Sequence, residues 1–158
     1  MFEYISTHFE WQNTIMIVST RGRYALRVMV DLAQHQEDGY VPLNVIAGRQ
    51  DISEKYLESI LKVLVQDELL TGLRGRGGGY RLTKEPKDYT LGEILRLTEG
   101  SLAPVACTDD GEHDCPRKES CPSHPVWQKL DTMINDFFDG ITLADLIQPS
   151  EKSKEKLS

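Results

Sequence analysis

Apolar residues recur at helical spacing in three consecutive stretches between residues 19 and 66. The spacing predicts an amphipathic helix from about Ser19 to Gln36, a short helix that begins at Pro42 and ends near Gln50, and a third helix capped by Ser53. The positions expected to face the core are Ala25, Val28, Met29, Leu32 and Ala33, then Val45, Ile46 and Ala47, then Tyr56, Leu57, Ile60, Leu61 and Leu64. The polar face of the third helix carries Glu54, Lys55, Glu58, Ser59 and Lys62. Because the second and third helices are joined by a tight turn, the pattern predicts a helix-turn-helix.

Two short strand patterns, at residues 70–74 and 80–83, flank a glycine-rich turn at residues 75–79. Glycine permits positive backbone angles in such a turn and lets the backbone approach a ligand closely. A phosphate cradle is the alternative, but the GxxxxGK[ST] pattern is absent and the glycines lead into a strand rather than a helix. A hairpin after a helix-turn-helix is a wing. The predicted fold is therefore mainly α with a small β-hairpin wing.

The second half of the chain predicts two more helices separated by an irregular loop. Thr90 is expected to cap a short helix that ends at Gly100, whereas the prolines of residues 101–125 are expected to keep that segment irregular. Apolar residues then recur at helical spacing from Val126 to Phe138, and Gly140 ends the run. The helix could pack only on its own domain, but two-fold DNA readers need a dimer seam, which favours a long C-terminal dimerisation helix.

These patterns divide the chain into five parts. Residues 1–18 follow no steady period and are interpreted as an N-terminal extension, with Met16 as an alternative natural start. The remaining parts are a winged helix-turn-helix DNA-binding domain at 19–100, a loop with all the cysteines at 101–125 (the cysteine loop), a dimerisation helix and end segment at 126–147, and a polar tail at 148–158 that is expected to be disordered.

Composition and charge predict where the protein is located and what it binds. The 158 residues are 39% hydrophobic and 27% charged, as in an ordinary globular protein, with no run of about 20 apolar residues and no signal sequence at the start. This predicts a cytoplasmic protein. The net charge of −7 conceals two patches without acids, one with Arg21, Arg23 and Arg27 and one with Arg74, Arg76, Arg81 and Lys84. Because local charge governs nucleic-acid affinity, these patches keep DNA as the expected partner.

The cysteine loop has the spacing of a metal site. Seven residues separate Cys107 from Cys115, five separate Cys115 from Cys121, and two separate Cys121 from His124. Three cysteines cannot form a closed disulfide framework, whereas thiolates with an imidazole suit zinc or an iron-sulfur centre. His124 could instead cap the following helix or bond a backbone carbonyl, and His113 is a competing ligand whose acidic neighbours indicate a solvated position.

Six sequence motifs carry a resemblance to a known family. They are SxxGRYALR from Ser19, ISEKYLESILKVL, RGRGGGYRL, YTLGEIL, CPSHPVW and ITLADLI. Together they resemble the bacterial winged-helix repressors that include the iron-sulfur assembly regulator IscR, the nitric-oxide sensor NsrR and the cysteine-metabolism repressor CymR. The resemblance extends over about residues 16–147, and its specific parts are the glycine-rich wing and the cysteine and histidine set.

The resemblance implies that Cys107, Cys115, Cys121 and His124 bind an iron-sulfur cluster, with 2Fe-2S as the first choice, 4Fe-4S as a second and zinc as the rival. IscR-like members commonly have five residues between the first two cysteines, whereas this chain has seven. The wider gap is compatible with NsrR-like members, so nitric-oxide or redox sensing is the alternative to cluster sensing. The CymR-like branch lacks this ligand set. A zinc-stabilised structural DNA-binding protein is a further alternative.

The predicted mechanism is that of a homodimeric repressor whose third helix enters the major groove of operator DNA while the wing reaches the minor groove. The recognition face is expected to comprise Ser53, Lys55, Tyr56, Glu58 and Ser59, and the phosphate or narrow-groove contacts Arg21, Arg23, Arg74 and Arg76. Glu58 repels phosphate unless it accepts from a cytosine amino group, which gives it a role in selection. The sequence shows no arrangement of nucleophile, base and oxyanion donors, so no enzyme activity is expected.

Overall fold

The amphipathic helices form where the sequence pattern predicts them. The computed structural model describes residues 18–109, 115–148, 154, 155, 157 and 158, and its first helices are α1 (Thr20–Gln34), α2 (Leu43–Gln50) and α3 (Glu54–Gln66). Ser19 and Ser53 cap α1 and α3, since their hydroxyl oxygens accept from the backbone N–H of Gly22 and of Tyr56. The buried stripes of the two helices form one core, which includes Val28, Met29, Leu32, Leu57, Ile60, Leu61 and Leu64.

Helix α2 differs from its prediction in two details. Pro42 is the N-terminal cap of α2 rather than its first helical residue, because its ψ of 148° is extended. Ile46 and Ala47 are buried as expected, but Val45 is exposed, since the eight-residue helix has room for only a narrow buried stripe.

A buried ion pair fixes α2 against α1. The Asp31 carboxylate is only 3% exposed and accepts from Arg49 Nε at 2.9 Å, from Arg49 Nη2 at 2.6 Å and from Gln50 Nε2 at 2.9 Å. Arg27 in turn donates to the side chain and the backbone carbonyl of Gln50. A buried carboxylate requires such partners because its desolvation is costly. The network therefore holds the first helix of the helix-turn-helix in a fixed orientation.

The predicted wing is an antiparallel hairpin of β1 (Leu70–Leu73) and β2 (Gly79–Leu82), with Leu70 opposite Leu82. A third segment joins the hairpin, because Val41 and Tyr80 exchange two backbone hydrogen bonds of 2.9 Å. Gly79 makes this possible: its φ is 152°, and a Cβ there would lie 2.2 Å from the Val41 carbonyl oxygen. Glycine is thus required for close approach as well as for the turn.

Three further helices complete the described part of the chain. Thr90 caps α4 (Leu91–Glu99), and α5 (His124–Asp139) is followed by α6 (Leu143–Ile147). Helix α6 packs against α1 with Leu143 fully buried, and Thr142 pairs with Thr90. The segment predicted as dimerisation helix and end segment, 126–147, therefore contains one long helix and one short helix that packs back on α1.

Helix α5 is attached to α4 by a forked ion pair. Arg96 donates through Nη1 and Nη2 to the two carboxylate oxygens of Asp139 at 2.8 and 2.7 Å, and Nη2 also donates to Asn135 at 2.6 Å. The hydrogen bond to Asp139 is the main reason that the pKa of Arg96 is raised above its ordinary value. The guanidinium fork therefore links the C-terminal end of α5 to α4.

The cysteine loop was expected to be irregular throughout, and this is wrong at two places. A 3₁₀ turn spans Ala106–Thr108, and α5 begins at His124, before the predicted start at Val126. Pro125 is compatible with this start because proline is tolerated in the first turn of a helix. The predictions for residues 1–17 and for most of the tail fall outside the described residues, although Lys154, Glu155 and Leu157 have helical backbone.

Candidate nucleic-acid interface and metal centre

Helix α3 presents a polar face on the opposite side from its buried stripe. Lys55, Glu58, Ser59 and Lys62 are exposed, as predicted for the recognition face, and Ser53 stands exposed at the cap. Tyr56 was predicted both to face the core and to belong to the recognition face, and the first prediction is wrong because the side chain is 37% exposed. Its ring packs edge-on against Tyr24 of α1, with the ring centroids 5.9 Å apart.

The wing places cations beside α3. Arg74 and Arg76 are exposed in the turn between β1 and β2, where Gly75 and Gly77 have φ values of 92° and 76°. A groove separates the wing from α3, and it is lined by residues that include Glu58, Lys62, Gln66, Leu73, Arg74 and Tyr80. Lys62 was predicted on the outward polar face of this helix but not as a DNA-binding residue, and Gln66 was not predicted. The spacing could have identified both, because Lys62 lies four residues after Glu58 and Gln66 four after Lys62, and residues four apart share one helix face.

The amino end of α1 lies beside α3. Arg23 is exposed and donates to Thr20 Oγ1 at 3.1 Å, which leaves most of its guanidinium available for other acceptors. Arg21 is half-buried and donates through Nη2 to the backbone carbonyl of Ser59 at 3.4 Å. Of the two predicted cations of α1, Arg21 therefore contacts the backbone of α3, and Arg23 is exposed on the same turn of α1.

Three of the four predicted metal ligands lie toward the two ends of the cysteine loop, and Cys115 lies between them. Cys107 is in the 3₁₀ turn, which packs against α5, while Cys121 and His124 stand at the start of α5. Cys107, Cys115 and Cys121 are half-buried free thiols. Within the described ranges 18–109 and 115–148, no three histidine, cysteine or acidic side chains come close enough together to hold a metal ion. The structure therefore brings the elements of the site together, but not the ligand atoms.

His124 is the unusual member of this set. Its side chain is 7% exposed, and in the described part of the molecule neither Nδ1 nor Nε2 has a hydrogen-bond partner. The alternative roles considered for it are not observed there, since Ser123 is the cap residue of α5 and the imidazole bonds no carbonyl. A buried polar atom without a partner needs an explanation, and imidazole is a common metal ligand. The donor set thus fits a group that binds thiolates and imidazole.

Cys121 has the electrostatics of a ligand thiol. Its Sγ lies 3.2 Å from Ser123 Oγ, and this hydrogen bond is the largest of the effects that lower the pKa of Cys121, followed by the backbone N–H of Ser123. The charge of Arg117 contributes in the same direction. Because the thiolate is the form that binds metals, this environment favours ligation.

A winged helix-turn-helix with exposed cations on its wing defines a DNA-binding transcriptional regulator. The chain belongs to the Rrf2 family, whose description reads "Iron-dependent Transcriptional regulator" and which matches residues 18–149. Among curated relatives, the HTH-type transcriptional regulator IscR of Aliivibrio salmonicida is 36% identical over 136 residues, which is 86% of this chain and 80% of the relative. IscR of Photobacterium profundum is 37% identical over 133 residues, 84% of this chain and 76% of the relative.

Two solved structures are similar over most of the chain. T. potens IscR has a TM-score of 0.65 and 38% identity, covering 87% of this chain and 90% of that chain. CymR, the global cysteine regulator of B. subtilis, has a TM-score of 0.69 and 33% identity, covering 87% of this chain and all of that one. The predicted fold class and the predicted resemblance are confirmed. The relatives are transcriptional regulators, which confirms the prediction that the chain is not an enzyme. In the part of the chain that the structure describes, no helix is both long and apolar enough to cross a membrane.

Proposed function

We propose that this regulator is a homodimeric repressor and that an iron-sulfur cluster bound by Cys107, Cys115, Cys121 and His124 controls its binding to operator DNA. The observation that carries the proposal is the buried imidazole of His124, whose two ring nitrogens have no partner within the described residues. It stands at the end of a helix that adjoins the Cys107 turn, in a family described as iron-dependent. When bound, such a cluster supplies reversible electron transfer, and a histidine ligand makes it sensitive to protonation.

The DNA-reading role rests on exposed side chains. Lys55, Tyr56, Glu58 and Ser59 project from α3 and are long enough to reach base edges in a major groove. Arg23, Arg74 and Arg76 provide charge for phosphate contacts on either side of α3, and Arg21 and Ser53 complete the predicted set. Lys62 extends this surface into the groove beside the wing.

The dimer role rests on α5. Four large apolar side chains are exposed along it: Val126, Leu130, Met133 and Phe137, with Met133 57% exposed. Their spacings of three and four residues put them on one face, which is the pattern of an interhelical seam. A charged residue in that face, as in Met133→Asp, is expected to convert the dimer into a monomer in analytical ultracentrifugation. Met133→Asp protein that sediments as a dimer would contradict this assignment.

The cofactor is tested by anaerobic purification followed by visible spectroscopy and analysis of iron, sulfide and zinc. We expect a coloured protein with iron and sulfide, and loss of the colour or a shifted spectrum in His124→Ala. His113→Ala is the matched control, because it removes a histidine from the same loop, and its spectrum should be unchanged. Colourless wild-type protein that contains zinc would refute the cluster and favour a zinc-stabilised DNA-binding protein.

The control of DNA binding is tested with a protein that lacks all three thiols. Replacement of Cys107, Cys115 and Cys121 by alanine should change the affinity or the choice of operator in a gel-shift assay. Unchanged binding to every operator would refute the control by the cluster. Exposure of the reconstituted protein to nitric oxide, oxygen or a reductant then distinguishes the three candidate signals by which one alters binding.

Two substitutions distinguish residues that bind phosphate from residues that determine the base preference. Arg74→Ala should weaken binding to all sequences and lower the slope of log affinity against log salt by about 0.9, the value for one phosphate contact. Glu58→Ala should relax the base preference instead. Lys87→Ala is the control for charge, since Lys87 is exposed outside helix α3 and the wing. Equal losses on every sequence for the Arg74 and Glu58 variants would contradict this division of roles.

A further inference from the structure

The carboxylate of Glu99, the last residue of α4, rests on the amino terminus of α1. Its Oε1 accepts from the backbone N–H of Ser19 at 3.1 Å and from Ser19 Oγ at 2.8 Å. Ser19 Oγ in turn accepts from the N–H of Gly22 at 3.3 Å. The side chain that caps α1 is therefore itself held by a residue 80 positions further along the chain.

The absence of a side chain at Gly22 leaves room for the Glu99 carboxylate. A Cβ at residue 22 would lie 2.1 Å from Glu99 Oε1, far inside the contact distance of a carbon and an oxygen that are not bonded, and 3.3 Å from Leu95 Cδ2. Glycine inside a helix is unfavourable relative to alanine. Its presence in the first turn of α1 is explained by the carboxylate, because any larger residue would displace Glu99 from Ser19.

On its other side Glu99 adjoins the cysteine loop. Gly100, with a φ of 82°, ends α4, and Ser101 follows directly. Ser101 Oγ donates to Asp109 at 3.0 Å and accepts from the N–H of Ala103 at 3.1 Å. The segment that carries Cys107 is thus closed on itself two residues from Glu99. Ser101 therefore joins this segment directly to the end of α4.

The first two turns of α1 contact the proposed recognition helix. Arg21 donates to the carbonyl of Ser59 in α3, and the rings of Tyr24 and Tyr56 pack edge to face. A displacement of the amino end of α1 therefore moves side chains that touch the DNA-reading face of α3. The contacts form one connected path from the cysteine loop through Glu99 and Ser19 to α3.

We propose that Glu99 is a positioning residue that couples the state of the cysteine loop to the recognition helix. The proposal rests on the proposed function, in which a group bound by the loop controls operator binding. An ordered loop holds Glu99 on Ser19 and keeps the first turn of α1 capped. A disordered loop releases the carboxylate, and the first turn of α1 then loses its orientation toward α3. The role is indirect, because Glu99 touches neither DNA nor a loop ligand.

The test compares operator affinity of reconstituted and metal-free protein by fluorescence anisotropy. In the wild type the two affinities should differ by at least about fivefold, the lower end of typical allosteric coupling. Glu99→Ala should reduce the ratio to less than about twofold. Glu99→Gln should keep the wild-type ratio, because its amide oxygen still accepts both Ser19 bonds. Glu37→Ala, which removes the same charge from an exposed position, should also keep it. A ratio unchanged in Glu99→Ala would overturn the proposal.

A substitution in α1 can break the same contact between Glu99 and Ser19. Gly22→Ala pushes the carboxylate away and should reproduce the reduced ratio of Glu99→Ala, while the double variant should be no worse than either single variant. If the two effects simply add, the residues act separately and the proposal is wrong. If Glu99→Ala weakens binding of both protein forms by the same factor, Glu99 has only a structural role.

A readout without DNA separates this proposal from the proposed function. Amide hydrogen exchange should show that reconstitution protects the first turn of α1 in the wild type but not in Glu99→Ala. If wild-type operator affinity does not respond to reconstitution, the proposed function fails, and the exchange pattern still decides the role of Glu99. If reconstitution leaves exchange in wild-type α1 unchanged, the coupling through Glu99 is refuted.

Discussion

Removal of a single buried hydroxyl, in Tyr89→Phe, should loosen the base of the wing. The Tyr89 side chain is fully buried, and its hydroxyl accepts from the N–H of Thr83 at 2.9 Å and of Lys84 at 2.8 Å while it donates to the Leu69 carbonyl at 2.8 Å. These three bonds join the end of β2 to the residue before β1. Phenylalanine keeps the ring in place and removes all three bonds, together with the 3.0 Å contact between the hydroxyl and Thr83 Oγ1.

The expected loss of stability depends on which hydrogen bonds the partners of the Tyr89 hydroxyl keep in the variant. The Leu69 carbonyl keeps two weaker donors: Thr83 Oγ1 at 3.2 Å, which donates mainly to the Glu68 carbonyl at 2.6 Å, and the Thr83 N–H at 3.4 Å. The N–H of Lys84 loses its acceptor in the variant. Because one donor loses its acceptor and a second keeps only a weak one, at about 1 kcal/mol each, the free energy of unfolding should fall by about 2 kcal/mol.

Urea unfolding followed by far-UV circular dichroism measures this loss, and in a chain of this size it corresponds to a melting temperature lower by about 4–8 °C. Tyr40→Phe is the matched control. The Tyr40 ring stacks under the Arg81 guanidinium at 4.7 Å, and its hydroxyl makes no hydrogen bond within the described residues. A Tyr89→Phe loss no larger than that of Tyr40→Phe would refute the assignment of the wing's stability to this hydroxyl.

Three further predictions concern other contacts. Gly79→Ala should unfold the wing or destabilise the protein by more than about 2 kcal/mol, because its Cβ meets the Val41 carbonyl, whereas Gly75→Ala, with open space around it, should cost about 1 kcal/mol in urea unfolding. Arg49→Leu should lower stability by about 3 kcal/mol, because it strands the buried Asp31 carboxylate, and Arg49→Leu with Asp31→Asn should recover part of that loss. A double-mutant cycle of Arg96→Ala and Asp139→Ala should give a coupling of about 1 kcal/mol or less that weakens with added salt, since both partners are more than one-third exposed.

Local signals in the sequence predicted most of the DNA-binding domain. Ser19, Ser53 and Thr90 cap the helices that they were expected to cap, because the capping bond joins residues only three positions apart. The wing was predictable for a similar reason, since its glycines act on their own backbone. A pattern of apolar positions does not define the edge of a buried stripe, however, and this explains why Val45 and Tyr56 were placed in the core.

The contacts between distant segments had no sequence signal. Val41 pairs with Tyr80, α6 returns to α1, and Glu99 reaches Ser19, each over at least 39 positions. The candidate site shows the same division. The spacing of the cysteines and of His124 indicated the candidate ligands. The burial of His124 and the hydrogen bond that lowers the pKa of Cys121 had no such signal, because both depend on how α5 begins.

The forked ion pair between Arg96 and Asp139 has a geometric consequence for α5. It links the carboxyl end of the helix to α4, and α6 packs on α1 just beyond it, so a tilt of α5 about that end would displace its amino end along the 3₁₀ turn that carries Cys107. At about 1.5 Å per residue the 16 residues extend about 24 Å, and a tilt of about 5° therefore carries the opposite end through about 2 Å. His124 is that opposite end. In such a tilt His124, the proposed ligand, travels furthest. A group bound to it would therefore restrain the direction of the whole helix, and with it the angle at which the two subunits of the proposed dimer would meet.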